Sequence, residues 1–207
     1  MPIDDGGKCL FKDVIAHDEK LFVADMGKRA CYVGTVDELQ QYVACSGTGS
    51  LRVMVSGMYD SGGPGPIIFL NPGETVNAGK FSQQLTNVFA PFFAARHKRH
   101  GLFDNASPHI GGTTVGTFYK LGIVRVRHPQ NSPDLNPIEL VWNRMQMQIN
   151  RTLPWTKHIT QDIFNEHIRR AWYVCASGDS FQKDMQHVAK CMIAAHATDG
   201  GNTYELK

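Results

Sequence analysis

The chain has 207 residues, of which 42% are hydrophobic and 10% aromatic, which is enough for a sizeable core in one domain. Its net charge of +2 excludes a strongly basic protein. No apolar run approaches the roughly 18 residues that span a bilayer, and the N-terminus lacks the apolar core of a secretory signal. Five cysteines without a CxxC pair argue against a disulfide framework. We therefore expect a soluble protein that is not secreted, nuclear in a eukaryote and otherwise cytoplasmic.

The first third of the chain is rich in residues that favour β-strands. Turns are predicted at "MGK", "CSGTGS" and "SGGPGP". The strands predicted around them are residues 13–25, "RACYVG", "LRVMVSGMY" and "IIFLN". We expect residues 13–71 to form an antiparallel set of four or five strands joined by hairpins.

After residue 71 the sequence pattern changes from one typical of strands to one in which helices predominate. Phe81, Leu85, Val88, Phe89 and Phe92 recur at helical spacing and predict a helix with an apolar stripe. The elements predicted after it are a short strand at "GLFD", a helix that ends at Gly122, a strand at "IVRVRH", and helices over 136–149, 159–175 and 181–197. This order predicts an α/β domain with a mixed sheet, in which an antiparallel start is followed by helix crossovers to parallel strands.

Three acids come from separate predicted elements. Asp18 lies late in the first predicted strand, Asp104 ends "GLFD", and Glu139 lies in the first turn of a helix. Side chains at the ends of elements can converge at one edge of a sheet, where gathered carboxylates repel one another and need cations. Oxygen ligands of this kind suit Mg²⁺ or Mn²⁺. Asp25 and Asp37 compete with Asp18 for the first position, and spacing alone does not decide between them.

Three motifs follow one another in the chain: "AHDEKLF", "DNASPH" and "NSPDLNPIELVW", with 34 residues between Asp104 and Glu139. Together with "RVMVSGMYDSGGPGPIIFLNPGETVNAGKF" they resemble the DDE catalytic core of the mariner superfamily of transposases. The likeness covers about residues 14–151, two thirds of the chain. Ser56 stands where members of that family usually have tryptophan, and Leu140 replaces a common polar residue. Neither departure removes a catalytic acid.

The resemblance implies an RNase H-like fold with a mixed five-stranded sheet flanked by helices. It also implies that Asp18, Asp104 and Glu139 form a catalytic triad that holds two Mg²⁺ ions, for which Mn²⁺ substitutes. Family members cut transposon ends by metal-assisted hydrolysis and join the freed 3′-hydroxyl to target DNA. Asn105 and His109 match neighbours in the second motif and are expected to have positioning roles. The implied partners are DNA, as transposon ends and target, and a second copy of the chain in a homodimer, with no membrane and no small-molecule substrate.

Glu139 has a second interpretation that needs no metal. Asn136 is a good N-cap, Pro137 suits the first helical position, and Glu139 falls at the third, where a capping-box glutamate belongs. With Asp18 and Asp104 in place, we predict that the stiff, proline-containing start of the helix fixes the direction of a metal-binding carboxylate. The two roles are compatible.

Basic residues gather near the predicted acids, and phosphate contacts from some of them would give salt-dependent DNA affinity without sequence preference. The candidates are Arg96, Lys98, Arg99, Arg125, Arg127, Arg144 and Arg151. We expect residues 1–207 to form one catalytic domain with a frayed tail at about 198–207. The helix-turn-helix modules that precede this domain in the family are expected to be absent, so no sequence-specific recognition is predicted.

Three other hypotheses remain. A domesticated, transposase-derived domain would bind DNA or a protein partner without catalysis. A nuclease selective for DNA structure, or an RNase H-type enzyme acting on a hybrid, would use the same fold. A zinc-binding module would use His187 and Cys191, which stand four residues apart on a predicted helix, although no fourth ligand at suitable spacing is evident.

Overall fold

The computed structural model describes residues 13–25, 50–126, 129–130, 132–153 and 159–197. The predicted strand "RACYVG" and the predicted tail at 198–207 lie outside these ranges. Among the helices within them, none combines the length and apolarity needed to cross a bilayer.

A mixed sheet of five strands forms the centre of the fold, with the spatial order β3-β2-β1-β4-β5. The strands are β1 (Val14–Asp25), β2 (Ser50–Asp60), β3 (Gly63–Phe69), β4 (His100–Leu102) and β5 (Val124–Val126). The first three pair antiparallel, whereas β4 pairs parallel with both β1 and β5. The predicted antiparallel start and parallel continuation are therefore confirmed.

Helices flank this sheet and connect its parallel strands. They are α1 (Ala78–Gln84), a π-helical turn (Leu85–Phe89), α2 (Ala90–Ala95), α3 (Ser107–Ile110), α4 (Gly112–Leu121), a 3₁₀ turn (Pro133–Leu135), α5 (Pro137–Thr152), α6 (Gln161–Cys175) and α7 (Gly178–Ala197). Gly122 ends α4 with a left-handed φ of 65°, the conformation for which glycine is suited, as the sequence predicts.

Strand β1 separates two apolar layers because alternate side chains point to opposite faces. Val14 and Ala16 belong to the layer that contains Trp142 of α5. Ile15 belongs to the other layer, which contains the predicted stripe residue Phe89. Asp18 therefore shares the face that packs against α5, and His17 and Glu19 share the opposite face.

The predicted turn "SGGPGP" is too long, because the turn occupies Ser61 and Gly62 and β3 already begins at Gly63. Gly65 lies so close to β2 that an added Cβ would stand 2.5 Å from the Met58 carbonyl oxygen. Glycine therefore serves strand packing at this position, and the composition that indicates a turn also suits a closely packed strand.

Candidate active site

A cavity of about 270 Å³ opens just beyond the end of β4 and brings the three predicted acids together. Asp18, Asp104 and Glu139 all line it. The other lining residues are Asn105, Ala106, Pro129, Pro133 and Asn136. The first acid comes from a strand, the second from the loop after a strand and the third from the first turn of a helix.

The parallel pairing of β1 with β4 places the first two acids side by side. Ala16 pairs with Leu102 at the end of β4, so Asp18 and Asp104 each lie two residues beyond the last pair. Asp18 is the fifth residue of the twelve in β1, and the prediction that it lies late in the strand is wrong. The strand continues because its antiparallel pairing with β2 extends to Asp25.

Asn136 fixes the position of the third acid. Its side-chain oxygen accepts a hydrogen bond from the Ile138 amide at 3.4 Å, which confirms the predicted N-cap. Its side-chain nitrogen donates to the His17 carbonyl oxygen at 3.0 Å, which ties the start of α5 to β1 next to Asp18. One buried side chain therefore caps the helix and sets its distance from the strand.

The alternative interpretation of Glu139 as a capping-box residue is wrong. The Asn136 amide, which such a glutamate would accept from, donates instead to the Pro133 carbonyl oxygen at 3.0 Å. The Glu139 carboxylate lines the cavity and lies 3.3 Å from the Lys20 ammonium. Helix α5 thus presents this carboxylate to the cavity, and the cap of the helix depends on Asn136.

Asp18 is a buried carboxylate beside another acid. Burial raises its pKa well above the ordinary value of 3.8, and the charge of Glu139 raises it further. The indole nitrogen of Trp142 donates to its Oδ2 at 3.1 Å. Trp142 lies one turn after Glu139 on the same face of α5 and is fully buried. Trp142 therefore packs in the core and also contacts a predicted metal ligand.

The neighbours of Asp104 shift its pKa in the opposite direction from that of Asp18. The side-chain hydrogen bond to His109 lowers its pKa to about 2, and the Ala106 amide contributes a second bond of 3.0 Å. Arg125 donates to the Asp104 carbonyl oxygen at 3.1 Å and to the Asn105 side chain at 3.4 Å. Asp104 therefore stays ionised and its loop is anchored from β5.

The donor set of this cavity fits a divalent cation. Three carboxylates converge on an open space, and repulsion between them raises the pKa of Asp18. Lys20 already supplies one positive charge at Glu139, two residues along the same face of β1 from Asp18. Hard oxygen ligands with room for water are the environment that Mg²⁺ and Mn²⁺ prefer.

The sequence interpretation missed a tighter cluster behind Asp104. Within the described ranges, His17, Glu19 and His109 are the group whose potential metal-ligand atoms all lie within 4.8 Å of one another. Two of them sit on either side of Asp18 in "HDE", and strand alternation turns both away from the cavity-facing side. Strand alternation is therefore the sequence signal that could have predicted that His17 and Glu19 lie on the opposite face of β1 from Asp18.

Three of the seven predicted DNA-binding residues pair with buried acids away from the cavity. Arg96 and Lys98 lie 3.4 and 2.7 Å from the buried Asp60 carboxylate, and Arg144 forms two 2.7 Å hydrogen bonds to the buried Asp184 carboxylate. Arg99 and Arg151 are exposed. Arg125 reaches the residues of the cavity, and Arg127 lies outside the described ranges.

The weak zinc hypothesis for α7 has a simpler explanation. The Cys191 Sγ lies 3.5 Å from the His187 Nε2, which is an ordinary contact between residues one turn apart. Cys191 is buried, with 1% of its surface exposed.

The fold is of the RNase H-like class. Its sheet begins with antiparallel strands and continues with parallel strands, and the three acids lie where the two parts of the sheet meet. Within that class the chain belongs to the DDE superfamily endonuclease family, whose sequence profile matches residues 13–161. The predicted likeness to mariner-type DDE transposase catalytic domains is confirmed.

Two kinds of relative support this assignment. A human histone-lysine N-methyltransferase, SETMAR, is 29% identical over 130 residues, which cover 60% of this chain and 19% of that protein. The catalytic domain of Mos1 mariner transposase superposes with a TM-score of 0.67 at 20% identity, covering 93% of this chain and 85% of that one. The Mos1 mariner paired-end complex with Mn superposes with a TM-score of 0.69 at 21% identity.

The chain spans only part of the longer relatives. It covers 56% of the Mos1 chain in the paired-end complex and 92% of its own length is matched there. Its match to SETMAR covers about a fifth of that protein. The likeness therefore concerns the catalytic domain.

Proposed function

We propose that this chain cuts DNA strands and transfers them to a new site in a reaction that depends on divalent metal ions. The observation that carries the proposal is the convergence of Asp18, Asp104 and Glu139 on one open cavity. Membership of the DDE superfamily endonucleases agrees with that chemistry.

Asp18, Asp104 and Glu139 are the residues that would hold two Mg²⁺ ions, with Mn²⁺ as a substitute. Structures of the Mos1 catalytic domain described with Mg and with Mn support the choice of metal. When bound, a pair of such ions activates a water or hydroxyl nucleophile and stabilises the leaving oxygen of a phosphodiester.

The chain's own residues would orient the ligands. Trp142 holds one oxygen of Asp18, whose carboxylate lines the cavity. His109 does the same for Asp104, and Arg125 anchors the backbone of that residue. Preorganised ligands of this kind reduce the reorganisation that binding requires.

DNA is the proposed substrate. Mos1 complexes described with a left transposon end and as a strand transfer complex support it. Arg99 and Arg151 are exposed, and Arg125 reaches a residue that lines the cavity, so these three are proposed to contact phosphates. A homodimer, and the nuclear or cytoplasmic location given above, are part of the same proposal.

Metal binding by calorimetry tests the first step. We expect the wild type to bind Mn²⁺, and we expect Asp104→Asn and Glu139→Gln to weaken binding by at least about 10²-fold, because ligand loss exceeds the 10–100-fold cost of losing an outer contact. Glu166→Gln is a matched control, since Glu166 lies on α6 and pairs with Arg170 at 2.8 Å. Unchanged binding by Glu139→Gln would contradict the proposal.

Nicking of plasmid DNA in Mn²⁺ tests the second step. Cleavage by the wild type, lost in Glu139→Gln and kept in Glu166→Gln, is the expected result. Metal binding without cleavage, together with DNA binding that salt weakens, would favour the domesticated domain that binds DNA without catalysis. Preferential cleavage of an RNA–DNA hybrid would favour the RNase H-type alternative.

A further inference from the structure

A second group of possible metal ligands lies next to the acidic cavity, on the opposite face of β1. The Glu19 Oε1 is 3.2 Å from the His109 Nε2 and 3.9 Å from the His17 Nε2. The side chains of His17 and His109 are 0% and 1% exposed, and that of Glu19 is 17% exposed. The cluster is therefore nearly closed to solvent.

Aromatic packing fixes the two imidazoles. The ring of His17 lies 5.1–5.2 Å from the rings of Phe81, Phe89 and Phe103, and 5.3 Å from the ring of His109. The His17 Nε2 is 3.0 Å from the Ser56 hydroxyl, and its Nδ1 is buried with no hydrogen-bond partner among the residues that the structure describes. The imidazoles are held by the core and do not depend on a metal for their position.

The three possible ligand atoms lie within 4.8 Å of one another, and the two measured separations are near those of a tetrahedral metal site. Ligands about 2.0 Å from a zinc ion stand about 3.3 Å apart at tetrahedral angles. The two separations from Glu19 are close to that value and need only small shifts. Two imidazoles and one carboxylate are a ligand set that zinc uses, whereas Mg²⁺ prefers oxygen ligands alone.

His109 has the outer partner that metal-binding histidines commonly have. Its Nδ1 is hydrogen-bonded to Asp104, while its Nε2 faces Glu19. A carboxylate on the far nitrogen fixes the tautomer and strengthens the imidazole as a ligand. The His17 Nε2 faces the same carboxylate, so both rings direct this nitrogen at Glu19.

We propose that His17, Glu19 and His109 form a transition-metal site, selective for an ion such as Zn²⁺, that is separate from the three-carboxylate cavity and joined to it through Asp104. The ion would displace the proton on the His109 Nε2, which faces Glu19, while the proton on Nδ1 would remain in the hydrogen bond to Asp104. A water or the Ser56 hydroxyl would complete the coordination. The site does not depend on the proposed DNA chemistry.

Cobalt spectroscopy on the full chain tests the proposal. Metal-free protein is titrated with Co²⁺ in millimolar Mg²⁺, which occupies the carboxylate cavity. The expected result is one equivalent of Co²⁺ with the visible bands of a four- or five-coordinate ion, displaced by Zn²⁺. Absence of these bands in the wild type overturns the proposal whatever the variants do.

Variants assign the ligands. Glu19→Gln and His17→Gln are expected to weaken Co²⁺ binding by at least about tenfold, while Glu139→Gln and Cys191→Ser keep it. Equal binding by Glu19→Gln, with a folded circular dichroism spectrum, overturns the site. A thiolate charge-transfer band that Cys191→Ser removes would assign the ion to α7 and also overturn it. Because Glu139→Gln affects only the acidic cavity, failure here and failure of the proposed DNA chemistry remain distinguishable.

Discussion

Two buried aspartates, each in contact with α5, have opposite electrostatic surroundings. Asp184 on α7 is 4% exposed and accepts a 2.6 Å hydrogen bond from Tyr59. Both of its carboxylate oxygens also accept hydrogen bonds from the Arg144 guanidinium. Asp18 is 9% exposed, accepts hydrogen bonds from neutral donors, the Trp142 indole and the Glu19 backbone amide among them, and faces the like charge of Glu139.

The difference separates a structural acid from a ligand-binding one. A buried carboxylate with a cation and full hydrogen bonds contributes to the connection of α5, α7 and β2. A buried carboxylate beside another acid costs stability until a cation arrives. Exposure alone would not distinguish Asp184 from Asp18, because both are buried.

The largest expected effect on stability comes from replacing Asp184 and Asp18, one at a time, with asparagine. Asp184→Asn leaves the guanidinium of Arg144 without its charged partner and should cost about 3 kcal/mol, the low end for a buried pair because the Arg144 side chain is 32% exposed. For a domain of this size that is a fall in Tm of about 9 °C. Asp18→Asn should instead raise the Tm of the metal-free protein, because it relieves repulsion and keeps an oxygen for Trp142. Thermal melts in a chelator measure both.

The pH dependence of stability, compared between the wild type and Asp18→Asn, is a sharper test of the same idea. The pKa of Asp18 is raised in the folded state, so the folded chain holds this proton more tightly than the unfolded chain does. Its contribution to stability is therefore most favourable below the ordinary value of 3.8 and declines as pH rises through the raised pKa. The advantage of Asp18→Asn over the wild type should grow with pH. A stability difference that shrinks as pH rises would contradict the assignment.

Trp142→Phe examines how Asp18 is oriented. Loss of the indole donor should weaken Mn²⁺ binding by about 10–100-fold, the usual cost of an outer partner of a metal ligand. Trp172→Phe is the matched control, because Trp172 stacks on Trp142 with ring centroids 5.2 Å apart and donates to the Gly65 carbonyl oxygen. Calorimetry should show near-normal Mn²⁺ affinity for this control. Equal losses in both variants would mean that Trp142 acts only through packing.

The sequence predicted the order and type of the elements because periodicity and turn composition report local structure. The parallel crossovers also follow from helices between short strands. The start of β3 was mispredicted because Gly65 meets Met58 and Phe92, which are contacts that local composition does not carry. The predicted acids came from motif resemblance, and their convergence depends on the register of β1 against β4.

The missed parts of the site are pairings between residues far apart in the chain. Trp142 and Asp18 are 124 residues apart, and Lys20 and Glu139 are 119 apart. Arg144 was predicted to contact DNA because it is basic and near the third acid, but tertiary packing puts Asp184 against it. Charge alone therefore overstates the basic surface that is available to DNA.

The smallest expected effect tests whether Lys20 competes with a metal for Glu139. The two side chains are 34% and 28% exposed and 3.3 Å apart, so the pair is worth up to about 1 kcal/mol. A cation that binds the Glu139 Oε2 would compete with this ammonium. Lys20→Gln should therefore tighten Mn²⁺ binding by up to about fivefold, since 1.4 kcal/mol corresponds to a factor of ten. Lys80→Gln, which removes an ion pair between α1 and Glu74 in the preceding loop, controls for the change in net charge. If Lys20→Gln weakened Mn²⁺ binding, the ammonium would instead help to hold Glu139 in its binding position, and its role would be orientation of the carboxylate rather than competition with the ion.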